Sequence, residues 1–294
     1  MLALTVDAPA KINLSLAVVG RRGDGYHQLA GVMALVDLRD TLTLTPGCSG
    51  LRVNADPSDA IPIGRADNLA WRGLVAGLGS EPDITCLTLE KRIPVGAGLG
   101  GGSSDAAAAW QLGRVFAGQA GSAAGEAGDP AMQTLAAIGA DVPFFASGHA
   151  AAYVTGVGEH VRAVDPRDGY AVLALPRFRL STAAVFAELR RSDWSGEAPA
   201  PTATPGHNDL LAPARRLRPE IDDLLRDLAS VGADPHMTGS GPCCFALTDD
   251  PERATSAVRA MTARGARTIL TRLASAPYRV EELAAQGESE DDDA

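Results

Sequence analysis

The amino-acid sequence predicts an α+β fold arranged in two layers. Segments with the alternating pattern of strands dominate the first ninety residues, and further along the chain helices and strands are mixed without strict βαβ alternation. The chain has 294 residues, a length that corresponds to two small domains or one large one. Its apolar content of 46% is enough for a sizeable core and excludes a disordered chain.

Strands are predicted mainly in the first part of the chain. In the segment 9–19 the apolar side chains at positions 12, 14, 16 and 18 share one face, whereas Lys11, Asn13 and Ser15 share the other. A glycine-rich turn follows this segment at 20–25. Further strands are predicted at 2–6, 32–36, 41–45 and 84–90.

Helices are predicted where apolar residues recur at the spacing of a helix turn. The first runs over 67–78 with Asp67 as its N-cap, and another follows a glycine-rich segment near residue 100. The remaining helices are predicted at 132–138, 183–190, 219–231 and 251–264. Strands at 151–155, 171–175 and 267–273, a strand–turn–strand unit at 236–248, and loops at 118–129 and 192–205 complete the pattern.

Charge and cysteine spacing exclude several classes of protein. The net charge of −10 and the absence of a basic cluster argue against a nucleic-acid polymer as the partner. The start of the chain lacks the basic and apolar regions of a signal peptide, and no apolar run reaches about 18 residues, so we expect a cytoplasmic protein. The four cysteines, at positions 48, 86, 243 and 244, lack metal-site spacing and are expected to be buried and reduced.

A glycine-rich segment precedes the second predicted helix. It reads Pro94-Val-Gly-Ala-Gly-Leu-Gly-Gly-Gly-Ser-Ser104 and runs into four alanines after Asp105. Glycines let the backbone approach a ligand closely and expose successive N–H groups, and the start of the helix adds unpaired donors and a positive dipole end. The segment therefore predicts a cradle for an anion, of a kind that suits a polyphosphate.

Two common nucleotide-binding motifs do not fit this segment. Gly96, Gly98 and Gly101 have the spacing G-x-G-x-x-G, but about twenty positions on there is a loop, where a dinucleotide site needs a second strand and an acidic residue. A Walker A loop would end in Gly-Lys-Ser/Thr, whereas Gly102 is followed directly by Ser103. Five glycines in seven residues ahead of a helix also disfavour a flexible turn that binds nothing.

Three segments resemble, in order and spacing, the motifs of the GHMP kinases (galactokinase, homoserine, mevalonate and phosphomevalonate kinases). They are Pro9-Ala-Lys-Ile-Asn13, the glycine-rich segment and Met237-Thr-Gly-Ser-Gly-Pro242. Finer features resemble the branch of this family that acts on a cytidine diphosphate-linked methylerythritol. These features are Gly23-Asp-Gly-Tyr-His27, Gly139-Ala-Asp-Val-Pro143, Gly148-His-Ala-Ala151, Gly156-Val-Gly-Glu159 and Asn208-Asp-Leu210.

The resemblance implies the two-domain GHMP kinase fold. It implies an ATP-binding α+β domain over 1–155 and a ferredoxin-like α/β domain over 156–286, with the active site between them and an acidic tail at 287–294. It also implies a reaction, in which ATP together with Mg²⁺ phosphorylates the 2-hydroxyl of 4-diphosphocytidyl-2-C-methyl-D-erythritol in the non-mevalonate isoprenoid pathway. The partners would be these small molecules, with no nucleic-acid polymer and no membrane, and the protein would be a monomer or a homodimer.

The resemblance further implies roles for individual residues. Asp141 would accept the proton of the hydroxyl, and Lys11 would bring a positive charge to Asp141 and the transferring phosphate. The residues expected at ATP are Pro94, Val95, Gly96, Ala97, Gly98, Leu99, Gly100, Gly101, Gly102, Ser103 and Ser104, one of the two serines being near Mg²⁺. Those expected at the substrate are Asn13, Tyr26, His27, Thr182, Phe186, Gly239, Ser240 and Gly241, with Tyr26, His27 and Phe186 at the cytosine and Lys91 near the adenine or the substrate.

Two other functions remain open at this point. Another GHMP kinase, of the homoserine or mevalonate type, would share the three motifs but would have no need of Asp-Gly-Tyr-His at 24–27. A ligand sensor without catalytic activity on the same fold would be expected to have lost Lys11 or Asp141, and this sequence has both.

Overall fold

Two β-sheets and the helices packed against them make up the part of the chain that the structure describes. The computed structural model describes residues 2–56, 64–119, 130–230, 234–274 and 279–283. No helix in these ranges is long and apolar enough to span a membrane. In chain order the elements are β1 (Leu4–Arg21), β2 (His27–Pro46), β3 (Gly50–Asn54), α1 (Leu69–Leu78), β4 (Thr85–Glu90), α2 (Gly101–Phe116), α3 (Pro130–Ile138), α4 (Val142–Ala146), β5 (Ala151–Gly156), β6 (His160–Ala163), β7 (Tyr170–Leu175), α5 (Thr182–Glu188), a 3-10 helix (Arg191–Asp193), α6 (Leu211–Leu217), α7 (Ile221–Ser230), β8 (Pro235–Met237), β9 (Cys244–Thr248), α8 (Pro251–Ala263), β10 (Arg267–Arg272) and β11 (Val280–Glu282).

The first sheet is organised around two long strands, β1 and β2. The strand order is β11-β1-β2-β4-β3, and β5 pairs with both β2 and β6. The first part of β2 pairs with β5 and its last part with β4, while β1 pairs with β2 along nearly the whole length. The strands predicted separately at 2–6 and 9–19 are therefore one strand. It is continuous across a register shift between Pro9 and Ala10, where proline cannot donate a ladder hydrogen bond.

The second sheet is antiparallel and has the strand order β10-β7-β9-β8. Along the chain, helices separate β7 from β8, a tight turn joins β8 to β9, and α8 separates β9 from β10. This βαββαβ arrangement is the ferredoxin-like one, so the predicted α+β fold with a ferredoxin-like second half is confirmed. The amphipathic helices α7 and α8 bury Leu225, Leu228 and Met261 in the core that they share with this sheet.

β1 is buried on both faces, which decides where the active-site side chains lie. Its apolar face packs against the second sheet, because Ile12 and Leu14 share a hydrophobic cluster with Leu173 and Phe245. Its other face carries Lys11 and two further polar residues, Asn13 and Ser15, and all three are less than 5% exposed. Both faces of β1 are therefore buried: one packs against apolar residues of the second sheet, and the other carries polar side chains. The alternation along this strand does not mark a solvent-exposed face.

The helix α2 is held by unusually close packing against α1. A Cβ atom on Gly73 would lie 2.0 Å from the carbonyl oxygen of Ala106, and one on Gly77 would lie 2.1 Å from that of Trp110. No Cβ fits at these distances, so the two glycines let the helix backbones approach each other. This packing sets the position of the N-terminus of α2, which is the end that carries the glycine-rich segment.

Several predicted boundaries shift in the structure. The N-cap of α1 is Asn68, whose Oδ1 accepts hydrogen bonds from the N–H groups of Ala70 and Trp71, and the prediction of Asp67 was wrong by one residue. The helix after the glycine-rich segment begins at Gly101, inside the glycine run, with Gly100 as its N-cap. The prediction missed β3, β6, β11, α4, α6 and the 3-10 helix, all of which are short. Most of the loop predicted at 118–129 and the acidic tail at 287–294 lie outside the described residues.

The predicted division of the chain near residue 155 stays a prediction, and the strand pairing adds two details to it. β6 follows that boundary in sequence but pairs with β5 in the first sheet. β11 lies close to the end of the chain but pairs with β1 in the same sheet. Each of these short strands completes the edge of a sheet whose other strands all lie before residue 157.

The expectation of four reduced cysteines holds for only two of them. Cys243 and Cys244 are free and buried, and burial raises the pKa of both thiols, that of Cys244 to about 12. Cys48 and Cys86 instead form a disulfide. The two residues are 38 positions apart in sequence, and they meet because the turn after β2 brings Cys48 back beside β4.

Candidate active site

A cleft of about 700 Å³ lies where β1, the glycine-rich segment and the turn between β8 and β9 meet. Three parts of the chain that are far apart in sequence contribute to its walls. The residues predicted for the site that line it are Lys11, Asn13, Pro94 to Ser103, Asp141, Thr182, Phe186, Gly239 and Ser240. The fold therefore brings most of the predicted site residues to one cavity.

The glycine-rich segment needs its glycines for both conformation and space. Gly96, Gly98 and Gly100 all have positive φ, between 71° and 79°. A Cβ on Gly98 would lie 2.7 Å from the carbonyl oxygen of Thr238, and one on Gly100 would lie 2.9 Å from the ring of Phe145. Side chains at these two positions would push the segment away from its neighbours.

The first turn of α2 presents unpaired backbone donors to the cleft. The first hydrogen bond of the helix runs from the N–H of Ser104 to the carbonyl of Gly100, so the N–H groups of Gly101, Gly102 and Ser103 have no acceptor within the helix. Ser104 is fully buried, and its hydroxyl donates to the carbonyl of Pro9 at 2.6 Å. Of the two serines, Ser103 is therefore the one whose side chain faces the cleft.

Lys11, Asn13 and Asp141 form a compact polar cluster in the cleft. The Nζ of Lys11 donates to the Oδ1 of Asn13 at 2.5 Å and lies 3.5 Å from the Oδ2 of Asp141. The Lys11 side chain is only 4% exposed, whereas that of Asp141 is 29% exposed. Asp141 occupies the N-cap position of α4 but makes no side-chain capping hydrogen bond. Its carboxylate is thus directed to Lys11 and the cleft rather than to the helix.

The turn between β8 and β9 is tied to β1 and to the glycine-rich segment. The hydroxyl of Thr238 accepts a hydrogen bond from the N–H of Asn13 at 2.9 Å and donates to the carbonyl of Gly98 at 3.3 Å. The side-chain amide of Asn208 donates to the carbonyls of Met237 and Gly239, at 2.8 and 2.9 Å. One buried hydroxyl and one buried amide therefore hold the three motif segments in register.

Lys91 lines the cleft, but its ammonium group is held by two buried carboxylates. It forms ion pairs with Asp40 and, at 2.7 Å, with Asp105 of α2. Burial, together with the charge of Asp40, raises the pKa of Asp105 to about 8. The two carboxylates raise the pKa of Lys91 even though burial alone would lower it. The cluster ties β2 to the helix beneath the glycine-rich segment, a role that the prediction for Lys91 did not include.

Two of the three residues predicted at the cytosine, His27 and Phe186, lie together with an aromatic residue that the prediction missed, and of these two only Phe186 lines the cleft. The ring of His27 stacks on that of Phe186, with centroids 5.4 Å apart, and the ring of Trp194 meets His27 edge-on at 5.3 Å. Burial and the nearby Arg21 lower the pKa of His27 below its ordinary value of 6.5. Tyr26 is 68% exposed and does not line the cleft.

Comparison with known proteins agrees with this arrangement. The family model for the GHMP kinases N terminal domain matches residues 68–149, and the model for the GHMP kinases C terminal region matches residues 200–267. A protein of Dinoroseobacter shibae named 4-diphosphocytidyl-2-C-methyl-D-erythritol kinase is 37% identical over 281 residues, which cover 87% of this chain and 90% of that relative. The chain belongs to the GHMP kinases.

Two solved structures are also similar to this GHMP kinase. A crystal structure of 4-(cytidine 5′-diphospho)-2C-methyl-D-erythritol kinase is 33% identical, with a TM-score of 0.72 and coverage of 92% of this chain and 98% of the other. The homoserine kinase of Cytophaga hutchinsonii has a TM-score of 0.67 at 17% identity, covering 96% of this chain and 98% of the other. The second similarity shows the fold alone.

The GHMP kinase site contains residues to which the sequence analysis gave no role. Asn208 is part of the motif Asn208-Asp-Leu210, to which no function was assigned, and Trp194 was missed, although in a chain with only 4% aromatic residues each one is a candidate. Nothing in the sequence pointed to Asp40, which pairs with Lys91 across 51 positions. Gly241 and Ser104, which were predicted at the ligands, do not line the cleft, although the N–H of Ser104 donates to Gly100, which does.

Proposed function

We propose that this chain transfers the γ-phosphoryl group of ATP to the 2-hydroxyl of 4-diphosphocytidyl-2-C-methyl-D-erythritol and releases ADP. The names of the relative and of the solved structure that exceed 30% identity support this reaction. The observation that carries the proposal is the single cleft in which an anion cradle, the Lys11–Asp141 pair and the ring of Phe186 lie together.

ATP fits the glycine-rich segment and the start of α2. The unpaired N–H groups of Gly101, Gly102 and Ser103 and the positive end of the helix dipole would bind its phosphates. The donor set also fits Mg²⁺, because the hydroxyl of Ser103 and the carboxylate of Asp141 line the same cavity and magnesium takes most of its other ligands from phosphate and water. Bound magnesium neutralises charge on the phosphate oxygens.

Asp141 and Lys11 suit the proton transfer and the charge that develops during phosphoryl transfer. In the proposed step the carboxylate of Asp141 takes the proton of the 2-hydroxyl, and the oxygen forms a bond to the γ-phosphorus as the bond to ADP breaks. The ammonium group of Lys11 lies 3.5 Å from this carboxylate and stabilises negative charge on the carboxylate and on the transferring phosphoryl group. Asn13 fixes the direction of the Lys11 side chain through its short hydrogen bond.

The cytidyl end of the substrate is proposed to bind at Phe186, His27 and Tyr26. Phe186 lines the cleft and offers an aromatic surface, and the lowered pKa of His27 favours a neutral imidazole that can both donate and accept a hydrogen bond. Thr182, one helical turn before Phe186, shares a hydrogen bond of 2.8 Å with Ser240.

The division into domains near residue 155, a cytoplasmic location, and a monomeric or homodimeric state remain predictions.

The experiment that tests the function is ADP release measured with three alternative acceptors. We expect release with 4-diphosphocytidyl-2-C-methyl-D-erythritol and none above background with homoserine or mevalonate. Release with either of the last two and none with the first would refute the proposal, and release with none of the three would favour a sensor. The Lys11→Met variant is the negative control, because ADP release that is catalysed in this cleft should be lost in it.

A further inference from the structure

Three aromatic rings meet beside the cleft, and one of them, Trp194, has no role in the proposed function. His27 lies between the other two rings, with Phe186 stacked on its face and Trp194 against its edge at an interplanar angle of 84°. The indole N–H of Trp194 is buried and has no hydrogen-bond partner within the described part of the chain. The indole is held by apolar packing and by the guanidinium group of Arg191, which lies 4.5 Å from the centroid of its ring.

The backbone around Trp194 is fixed from both sides. On one side, the N–H of Ser195 donates to the buried carboxylate of Asp209 at 2.9 Å, and its hydroxyl donates to the same group at 2.5 Å. The N–H of Val18 donates to this carboxylate at 2.6 Å, which ties the segment to β1. Asp209 is 1% exposed, so these hydrogen bonds are shielded from water.

On the other side, one arginine joins Trp194 to the helix that carries Phe186. Arg216 donates to the carboxylate of Asp193, the residue before Trp194, at 2.6 and 3.2 Å. The same guanidinium donates to the side chain and the carbonyl of Glu188, at 2.7 and 2.9 Å, at the end of α5. The hydrogen bond from Arg216 is the main cause of the lowered pKa of Asp193. Arg216 thus links the segment that carries Trp194 to the helix that carries Phe186.

We propose that Trp194 is a positioning residue for recognition of the cytidyl group, acting through the ring of His27. The indole, nearly perpendicular to the imidazole, blocks one direction of its rotation, and Phe186 supports its face, so the imidazole is presented to the base in one orientation. This inference rests on the proposed function, because it requires a nucleobase at His27. It predicts that the contribution of Trp194 is to binding of the cytidyl substrate and not to ATP binding or to the phosphoryl transfer step.

Steady-state kinetics of two variants test this role. We expect Trp194→Ala to raise KM for the cytidyl substrate about tenfold, the scale of a lost aromatic contact, while kcat and KM for ATP stay within about twofold. Trp194→Phe keeps an aromatic edge against His27 and should restore most of the affinity. An unchanged KM for the cytidyl substrate in Trp194→Ala, or an equal rise of both KM values, would overturn the proposal.

Fluorescence gives a second readout that does not depend on turnover. The chain has three tryptophans, and the other two, Trp71 and Trp110, are 2% and 4% exposed in the core. We expect cytidine 5′-diphosphate to change the tryptophan emission of the wild type, of Trp71→Phe and of Trp110→Phe. We expect it to bind Trp194→Phe, as followed by calorimetry, without the change in emission.

The outcomes of this titration separate the two proposals. A change in emission that persists in Trp194→Phe would refute the role of Trp194 and leave the proposed function intact. A wild-type protein that neither binds cytidine 5′-diphosphate nor phosphorylates the cytidyl substrate would refute both. Thermal unfolding of each variant shows whether it is folded, and the fluorescence test stands even if Trp194→Ala fails to fold.

Discussion

Asp141 stands at the start of a helix and yet does not cap it. An aspartate in this position usually accepts hydrogen bonds from the first N–H groups of the helix, but here the carboxylate makes no such bond and lies 3.5 Å from the Nζ of Lys11. The favourable capping interaction is given up for a contact with a buried ammonium group. This arrangement is expected if the Asp141 carboxylate acts in the cleft, and is not expected if it only stabilises α4.

At the residue scale, we predict that Asp141→Asn lowers kcat at least ~10²-fold, the usual scale for a lost general base. The amide keeps the shape of the side chain but cannot take the proton of the hydroxyl. The measurement is ADP release under saturating substrates, together with calorimetric binding of ATP to confirm that the site is intact. Asp223→Asn is the control, because Asp223 is an exposed carboxylate on α7, and turnover near the wild-type value in Asp141→Asn would remove the residue from this role.

At the scale of an element, the turn between β5 and β6 supports the backbone that carries Asp141. Gly158 has a φ of 115°, and a Cβ at this position would lie 1.9 Å from the carbonyl oxygen of Ala140. The N–H of Val157 donates to the carboxylate of Glu159 at 2.6 Å, which closes the turn. The quoted motif Gly156-Val-Gly-Glu159 is thus explained by a close contact behind the Lys11–Asp141 pair.

We predict that Gly158→Ala lowers kcat about 10- to 100-fold, because the added methyl group must displace Ala140 and with it Asp141. Gly265→Ala is a matched control, since Gly265 also has a positive φ, of 83°, but nothing lies within 4 Å of its Cβ position. Both variants should lose stability from backbone strain, as measured by thermal unfolding, and only Gly158→Ala should lose turnover. Equal kcat values in the two variants would show that the turn does not position Asp141.

At the scale of the whole molecule, the two sheets are joined by polar groups as well as by apolar packing. Asn208 makes an isolated bridge with Leu16 of β1, and its side chain also holds the turn between β8 and β9. Its Oδ1 accepts a hydrogen bond from the N–H of Leu210 at 2.9 Å. One residue that is 9% exposed therefore satisfies three backbone groups at the junction of the sheets.

We predict that Asn208→Leu lowers the free energy of unfolding by roughly 2–4 kcal/mol, because it leaves up to three buried backbone groups without partners. For a chain of this size that corresponds to a fall in the melting temperature of about 3–7 °C. Differential scanning calorimetry provides the measurement. Asn54→Leu is the control, since Asn54 makes its side-chain hydrogen bond on the exposed surface of β3, and equal melting temperatures of the two variants would contradict the prediction.

The parts of the fold that could be predicted from the sequence are those that depend on local chemistry. The alternation in 9–19 is sufficient to predict a strand, and the glycines before an alanine-rich run are sufficient to predict a helix with an anion cradle at its start. The short elements β3, β6 and β11 were missed because three to five residues carry too little periodicity. They exist because longer strands beside them offer unpaired edges.

For the site, the sequence is sufficient to identify the residue types: a lysine and an asparagine on one face of a strand, glycines before a helix, and an aspartate before α4. Which of them meet depends on the tertiary structure. It brought Asp141 to Lys11 across 130 positions, buried Ser104 while leaving Ser103 in the cleft, and placed Trp194 against His27. The physical reason is that hydrogen bonds and van der Waals contacts act over a few ångströms in space, so a partner distant in sequence leaves no local pattern.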